Sequence, residues 1–256
     1  MIDRRTFSAG LAGGIATSLL HPSDVRAAVG IRNIVLVHGA YADGSSWSEV
    51  IGPLLVAGFR VTAVQNPLTS LANDVAATRR ALAMQDGRTV LVAHSYGGMV
   101  ISEAGDDPAV SALVYVAARA PDAGEDYNAL AATFPTPPAS AGLVTLDGYA
   151  KLNEDAFLND FANGVSAAKA RELYAVQAPI AATLFATART TVAAWRAKPS
   201  WYAVSKRDRT INPELERFMA KRMGAKTIEV DAGHLSLVSN PHEICELIMS
   251  AAGSRG

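Results

Sequence analysis

Short runs of apolar, mostly β-branched residues alternate with amphipathic segments from about residue 32 onward. Six runs have strand character and are residues 33–38, 59–64, 89–94, 112–118, 200–205 and 226–231. Helical patterns cover residues 45–58, 70–84 and 213–223 and start again at Ser95 and near Pro241; within the second, Leu71, Val75, Thr78 and Leu82 share one face. This alternation predicts an α/β fold with a mostly parallel sheet covered by helices on both faces.

The regular alternation is interrupted between about residues 119 and 198. This stretch is rich in alanine, and prolines divide it into short helical pieces (Pro121, Pro135, Pro137, Pro138 and Pro179). A long insertion between two strands of one sheet commonly carries a lid or binding loops. We therefore expect one domain over residues 28–256, with a helical cap at about 119–198.

Residues 1–27 have the composition of an export signal rather than of a folded element. Arg4 and Arg5 precede a short Gly-rich apolar run, and Val25-Arg26-Ala27 offers a small-residue cleavage site, so the segment resembles a twin-arginine signal. Asp3 stands where such signals often carry Ser or Thr, and a disordered or loosely helical extension is the alternative. The signal predicts a periplasmic or secreted protein; without it, the protein is expected in the cytoplasm.

Composition narrows the classes of partner. Half of the 256 residues are hydrophobic and 18% are charged, as in globular proteins, and 23 basic against 24 acidic residues give a net charge of −1. This balance gives no electrostatic reason to expect nucleic acid or an anionic membrane as a partner. Cys245 is the single cysteine, so an internal disulfide is excluded, and its apolar surroundings predict a buried structural thiol. The histidines lack zinc-site spacing, and no metal or cofactor is expected.

The segment VLVAHSYGG at 90–98 places Ser95 between a buried strand and a helix. Small residues two positions before and after the serine, Ala93 and Gly97, are typical of a nucleophile elbow, although Gly is more usual than Ala at the first position. The tight turn exposes the Ser95 hydroxyl at a helix N-terminus, where backbone N–H groups favour an oxyanion. The alternative is an ordinary strand–helix turn with Ser95 as N-cap.

A serine nucleophile requires a base, and His234 is the main candidate. It follows the last predicted strand, where catalytic groups collect in open α/β sheets. His94 is the rival, but it points away from Ser95 across the turn, and we expect it to pack and hydrogen-bond locally. His21 belongs to the N-terminal segment, and His242 is expected to be solvated on the last helix.

Asp208 is the candidate for orienting the base, because it directly follows the strand at 200–205. The chain order Ser95, Asp208, His234 is that of the α/β-hydrolase architecture. Asp231 competes, but it precedes the histidine by only three residues. A loop carboxylate paired with Arg207 or Arg209 is the other possibility for Asp208.

An oxyanion hole needs two backbone N–H groups, and we assign them to Tyr96 and Ala40. Ala40 lies in the motif HGAY at 38–41, where Gly39 permits close backbone approach and His38 can tie the loop by hydrogen bonds. Tyr41 is the candidate substrate-binding residue. With Tyr96 and the cap residues Phe134, Phe157 and Phe185 it can line an apolar pocket, although each is equally compatible with plain core.

Four segments together, LVHGAYADGSSW, LVAHSYGGMV, SKRDRTINPELERFMAKRM and VDAGHLSLVSNP, resemble the small esterases and hydroxynitrile-lyase-like members of the α/β-hydrolase superfamily. The resemblance covers about residues 32–250 and includes pyrethroid- and salicylate-type esterases. It implies an eight-stranded sheet, a modest cap and no cofactor. Lyases of this group carry a lysine directly after the catalytic histidine, where this chain has Leu235, and dehalogenating relatives carry an aspartate at the elbow.

The expected activity is that of a serine hydrolase, which cleaves carboxylic esters of small, apolar substrates through an acyl-enzyme intermediate. A hydroxynitrile lyase or a cofactor-free perhydrolase on the same fold is the first alternative. A non-catalytic ligand-binding homologue is the second. No residue pattern specifies the ester or an oligomeric state.

Overall fold

Six parallel strands form the central sheet in the computed structural model, which describes residues 30–253. They are β1 (Asn33–Val37), β2 (Arg60–Val64), β3 (Thr89–His94), β4 (Val110–Val116), β8 (Ser200–Ser205) and β9 (Lys226–Val230), in the order β2-β1-β3-β4-β8-β9. All six were predicted from their apolar runs. The family resemblance implies eight strands in this sheet, and that number is wrong for the described residues. The other three strands described there form a separate sheet in the cap.

Every residue of β1, β3 and β8 is buried, so both faces of the sheet are covered there. Continuous runs of Val, Leu and Ile suit strands of this kind, since neither face meets water. Val37 lies opposite Ala93 in the β1–β3 register. This register brings the loop after β1 beside the turn after β3.

Five of the six α-helices described outside the cap were predicted, and the short helix at Ser236–Ser239 was not. The six are α1 (Ser48–Val56), α2 (Leu71–Ala83), α3 (Gly97–Ala104), α8 (Pro213–Arg222), α9 (Ser236–Ser239) and α10 (Pro241–Ala251). Ser70 caps α2 by accepting from the Asn73 N–H, and Pro213 occupies the first turn of α8, where no N–H is needed. The four α2 residues predicted to share a face are all buried.

The chain between β4 and β8 forms a mixed cap rather than a helical one. Its helices are α4 (Tyr127–Ala131), α5 (Glu154–Ala156), α6 (Ala167–Ala175) and α7 (Leu184–Thr187), and Phe157–Phe161 forms a π-helix. Three antiparallel strands, β5 (Leu143–Leu146), β6 (Tyr149–Leu152) and β7 (Ile180–Ala181), were not predicted. Asp147 and Gly148 join β5 to β6 with positive φ angles of 48° and 78°, which suit a tight hairpin.

The predicted export signal at 1–27 lies outside the described residues. Within residues 30–253, no helix combines the length and apolar character needed to cross a membrane. Cys245 is buried, as predicted, and its thiol lies 3.7 Å from the Val50 carbonyl oxygen. Burial raises the pKa of this thiol to about 11.

Candidate active site

Ser95 occupies a strained turn between β3 and α3. Its φ angle of +55° lies in the left-handed region that a residue with a Cβ adopts only at a cost of roughly 1–3 kcal/mol. The flanking glycines make the turn possible. A Cβ on Gly97 would lie 2.8 Å from the His38 carbonyl oxygen, and one on Gly98 would lie 2.1 Å from that of Arg119. The turn therefore has the tight geometry that the sequence predicted.

Ser95, His234 and Asp208 are brought together into one hydrogen-bonded chain. The Ser95 Oγ lies 2.9 Å from His234 Nε2, and His234 Nδ1 lies 2.5 Å from Asp208 Oδ2. Since the carboxylate can only accept, Nδ1 carries the proton and Nε2 is free to accept from the serine hydroxyl. Ser95 and Asp208 are each 6% exposed and His234 is fully buried, so these three hydrogen-bonded side chains are shielded from bulk water.

Backbone donors fix the Asp208 carboxylate in place. Its Oδ1 accepts from the N–H groups of Thr210 at 2.6 Å and Ile211 at 2.9 Å, which leaves Oδ2 for His234. The turn formed by residues 208–211 therefore orients the carboxylate independently of its bond to His234.

The competing assignments for Asp208 and Asp231 do not fit the structure. Arg209 binds Asp160 at 2.7 Å, and Arg207 binds the exposed Asp231 at 3.2 Å. Neither arginine forms a salt bridge with Asp208 in the described chain, and the His234 ring is bonded to Asp208 rather than to Asp231.

Glu216 is a second, fully buried carboxyl group behind Asp208 that the sequence did not reveal. It lies on α8, where Oε2 accepts from the Ser205 N–H at 3.0 Å and Oε1 is buried without a hydrogen-bond partner in the described chain. Burial, with the negative charge of Asp208, raises the Glu216 pKa well above its ordinary value. The raised pKa favours a protonated, neutral Glu216 in the folded chain.

His94 contacts the histidine at 234 rather than local groups. Its Nε2 lies 3.0 Å from the His234 carbonyl oxygen, and the two imidazole rings are 4.6 Å apart. Burial, reinforced by the neighbouring His234, holds the pKa of His94 well below its usual value. His94 is therefore neutral, with its proton on Nε2. The prediction that it packs was right, but its partner is distant in sequence.

His38 ties the loop after β1, as its sequence position predicted. Its Nδ1–H donates to the Gly39 carbonyl at 2.8 Å, and its Nε2 accepts from the Asn66 N–H at 2.9 Å. Burial lowers the pKa of His38, in keeping with a neutral ring. A Cβ on Gly39 would lie only 2.7 Å from the Cβ of Ser95, so the loop can approach the serine this closely only with a glycine at position 39.

The backbone N–H groups of Ala40 and Tyr96 flank Ser95, one on the loop after β1 and one directly after the serine. Within residues 30–253, neither N–H has a protein hydrogen-bond partner. Tyr96 is anchored through its hydroxyl, which donates to the buried Asp74 at 2.8 Å. Asp74 also accepts from the Leu68 N–H at 2.8 Å. This carboxylate therefore holds Tyr96, whose backbone N–H is one of the two unpartnered donors.

Aromatic side chains enclose this group of residues. The Phe161 ring, on the cap π-helix, lies 5.1 Å from the His234 ring, and Tyr41 packs edge-on against both Phe161 and Phe185 at 6.2 Å. Phe185 also lies 5.8 Å from the Tyr96 ring. A small apolar cavity is bounded in part by Tyr41, Phe157 and Phe161.

Two of the aromatic and histidine predictions concern residues outside this enclosure. Phe134 packs against Phe218 at 6.0 Å instead of joining the other rings. His242 is exposed on α10, as predicted. No group of three or more His, Cys, Asp or Glu side chains in the part of the chain described is arranged to hold a metal ion.

Comparison with known proteins places these features in context. The model of the alpha/beta hydrolase family matches residues 34–247. A carbendazim hydrolyzing esterase from Nocardioides sp. (strain SG-4G) is 32% identical over 130 residues, which are 44% of this chain and about half (53%) of that enzyme.

Solved structures share the fold. The polyneuridine aldehyde esterase has a TM-score of 0.73 at 18% identity, covering 86% of this chain and 98% of its own. A pyrethroid hydrolase from Sphingobium faniae JZ-2 has a TM-score of 0.69 at 19% identity, covering 87% of this chain and 98% of its own.

Proposed function

We propose that this chain, which belongs to the alpha/beta hydrolase family, hydrolyses carboxylic esters of small, largely apolar substrates with Ser95 as nucleophile. Named esterases among its relatives support ester hydrolysis broadly. The observation that carries the finer proposal is the hydrogen-bonded chain from Asp208 through His234 to Ser95, with distances of 2.5 Å and 2.9 Å.

In the proposed reaction, Ser95 attacks the ester carbonyl while His234 Nε2 takes the hydroxyl proton. Asp208 keeps the Nδ1 proton in place and stabilises the imidazolium that forms. The unpartnered N–H groups of Ala40 and Tyr96 receive the oxyanion. His234 then returns the proton to the leaving alcohol, and water releases the acid by the same route.

The aromatic enclosure supports a small and largely apolar substrate. Tyr41 is 6% exposed, and the rings of Phe161 and Phe185 contact it on the cap side. Such walls exclude water, which strengthens the hydrogen bonds to a developing oxyanion. Tyr41 is accordingly proposed to contact the substrate.

Replacing Ser95 with Ala tests the proposal. The wild-type protein should cleave para-nitrophenyl esters and be labelled on Ser95 by a fluorophosphonate, whereas the S95A variant should lose roughly a thousandfold or more of the turnover and all labelling. Ser48→Ala, at an exposed serine, should change neither measurement.

The other outcomes identify the competing functions. Labelling of Ser95 without turnover of any ester, together with cleavage of cyanohydrins or activity with peroxide, would indicate a lyase or a perhydrolase. Failure of the folded wild-type protein to react with the fluorophosphonate would indicate a non-catalytic homologue.

A further inference from the structure

Arg119 follows β4 directly and lies against the same aromatic wall as the candidate nucleophile. Its backbone N–H donates to the Ser95 carbonyl at 2.9 Å, which ties its position to the turn. Its guanidinium carbon lies 3.9 Å above the centre of the Phe185 ring and 4.7 Å from that of Tyr127. Since Phe185 contacts Tyr41 and Tyr96, the guanidinium belongs to the enclosure that surrounds Ser95.

No carboxylate neutralises this guanidinium. Among residues 30–253, Arg119 forms no salt bridge, its side chain donates no hydrogen bond, and its Nε is buried without an acceptor. A partly buried cation without a partner is costly to maintain, and arginine interacts with an aromatic ring much less strongly than with a bidentate carboxylate.

The acidic residues that follow Arg119 along the chain are already paired with other arginines. Asp122 binds Arg196, Glu125 binds Arg222 at 2.7 Å, and Asp126 binds Arg189 at 2.6 Å. Three carboxylates within seven positions thus have their own partners, and Arg119 is left as a free cation in this region of the described chain.

We propose that Arg119 binds a carboxylate carried by the substrate, so that the preferred ester has a small apolar body and one free carboxylate group. The planar guanidinium presents paired N–H donors that match a carboxylate, and its contact with the Phe185 ring at 3.9 Å holds it at the aromatic wall. The rest of the aromatic wall suits the apolar part of the molecule. This substrate class rests on the proposed ester hydrolysis.

Matched pairs of esters test the proposal on each half of the substrate. On the acyl side, the para-nitrophenyl monoester of adipic acid is compared with para-nitrophenyl hexanoate. On the alcohol side, meta-carboxyphenyl butyrate is compared with phenyl butyrate. In at least one pair the wild-type protein should prefer the charged ester in kcat/KM, and R119Q should lower kcat/KM for that ester by about tenfold or more. The neutral partner should change by less than about twofold.

Two further variants separate carboxylate binding from a structural role. Arg119→Lys keeps the charge but loses the paired donors, and it should retain part of the preference for the charged ester. Arg80→Gln removes an exposed arginine from α2 and should leave both substrates unaffected. Equal losses for charged and neutral esters in R119Q, or a wild-type protein that cleaves esters without preference in either pair, would overturn the proposal.

A binding measurement distinguishes this proposal from the proposed hydrolysis. The S95A variant should bind the charged ester more tightly than its neutral partner by calorimetry, and the S95A/R119Q double variant should lose that difference. If S95A shows the difference but the wild-type protein cleaves no ester, the hydrolysis is wrong and the carboxylate site stands. If the wild-type protein cleaves esters and S95A binds both equally, the carboxylate site is wrong.

Discussion

The imidazole of His94 donates to the backbone carbonyl of His234 across 3.0 Å, although 140 residues separate them along the chain. The contact joins the end of β3 to the loop after β9, so the turn that carries Ser95 also positions the backbone of the candidate base. It is independent of the bond between His234 and Asp208, which orients the ring itself.

Replacing His94 with Phe should lower kcat by about tenfold or more while KM changes little. The phenyl ring fills the space but cannot donate, so the His234 carbonyl loses its partner and the ring shifts relative to Ser95. Ester kinetics measure this effect. His94→Gln, whose amide can donate to the same carbonyl, should restore part of the activity, and equal activity of the Phe variant and the wild-type protein would contradict the positioning role.

The pH dependence of stability should reflect the two buried neutral histidines. The pKa values of His38 and His94 are lowered in the folded chain, so the unfolded chain binds more protons below the ordinary value of 6.5. Stability is therefore present above about this pH and falls as the pH drops, by up to about 1.4 kcal/mol per pH unit for each histidine. Urea unfolding between pH 7 and pH 5 measures the slope.

A variant isolates the contribution of His94 to that slope. His94→Gln carries no titrating group, so its unfolding free energy should fall less steeply with acid than that of the wild-type protein. His242→Gln, at an exposed position on α10, is the control and should leave the slope unchanged. Equal slopes in all three proteins would show that His94 is not held neutral.

The sequence predicted features that depend on local patterns. The six strands follow from runs of Val, Leu and Ile, and the turn at Ser95 follows from small residues at fixed offsets. The hairpin of β5 and β6 carries its own signal, Asp147-Gly148, but the four residues of β5 are all exposed and show no alternation.

Contacts between distant segments were not predictable in this way. Glu216 lies in a charged stretch of α8 and has the appearance of a solvated helix residue, yet packing against β8 buries it fully. The sequence likewise does not show that Arg119 lacks a salt-bridge partner, because this depends on Asp122 and Glu125 pairing with other arginines. Tertiary packing alone decides such cases.

Replacing Glu216 with Gln should preserve activity and increase stability at neutral and alkaline pH. The amide oxygen can accept from the Ser205 N–H, as Glu216 Oε2 does, and the side chain is neutral at every pH. In the wild-type protein the raised pKa keeps Glu216 protonated when folded, whereas the unfolded chain loses this proton above about its ordinary value of 4.5. Stability therefore falls as the pH rises from there towards the folded pKa, and the variant lacks this loss.

Thermal unfolding between pH 5 and pH 8 measures the difference, which should widen with pH. Glu214→Gln, at an exposed residue on the same helix, should show no such widening. Glu216→Leu should lose roughly 1–3 kcal/mol of stability because it leaves the buried Ser205 N–H without an acceptor. A Gln variant that is less stable than the wild-type protein at pH 8 would contradict the raised pKa of Glu216.

Gly39 approaches Ser95 so closely that the loop after β1 has no room for a side chain at this position. A Cβ at Gly39 would lie 2.7 Å from Ser95 Cβ, closer than real Cβ contacts come, and 3.1 Å from the His94 carbonyl oxygen, which is tight. The loop must move, so Gly39→Ala should cost about 1–3 kcal/mol of stability and displace the Ala40 N–H from the proposed oxyanion hole.

Gly52→Ala makes the same chemical change inside α1, where nothing lies within 4 Å, and should leave kcat intact with stability unchanged or slightly raised. Urea unfolding and ester kinetics on both variants decide the matter, since equal kcat in the two would mean that the loop after β1 takes no part in catalysis.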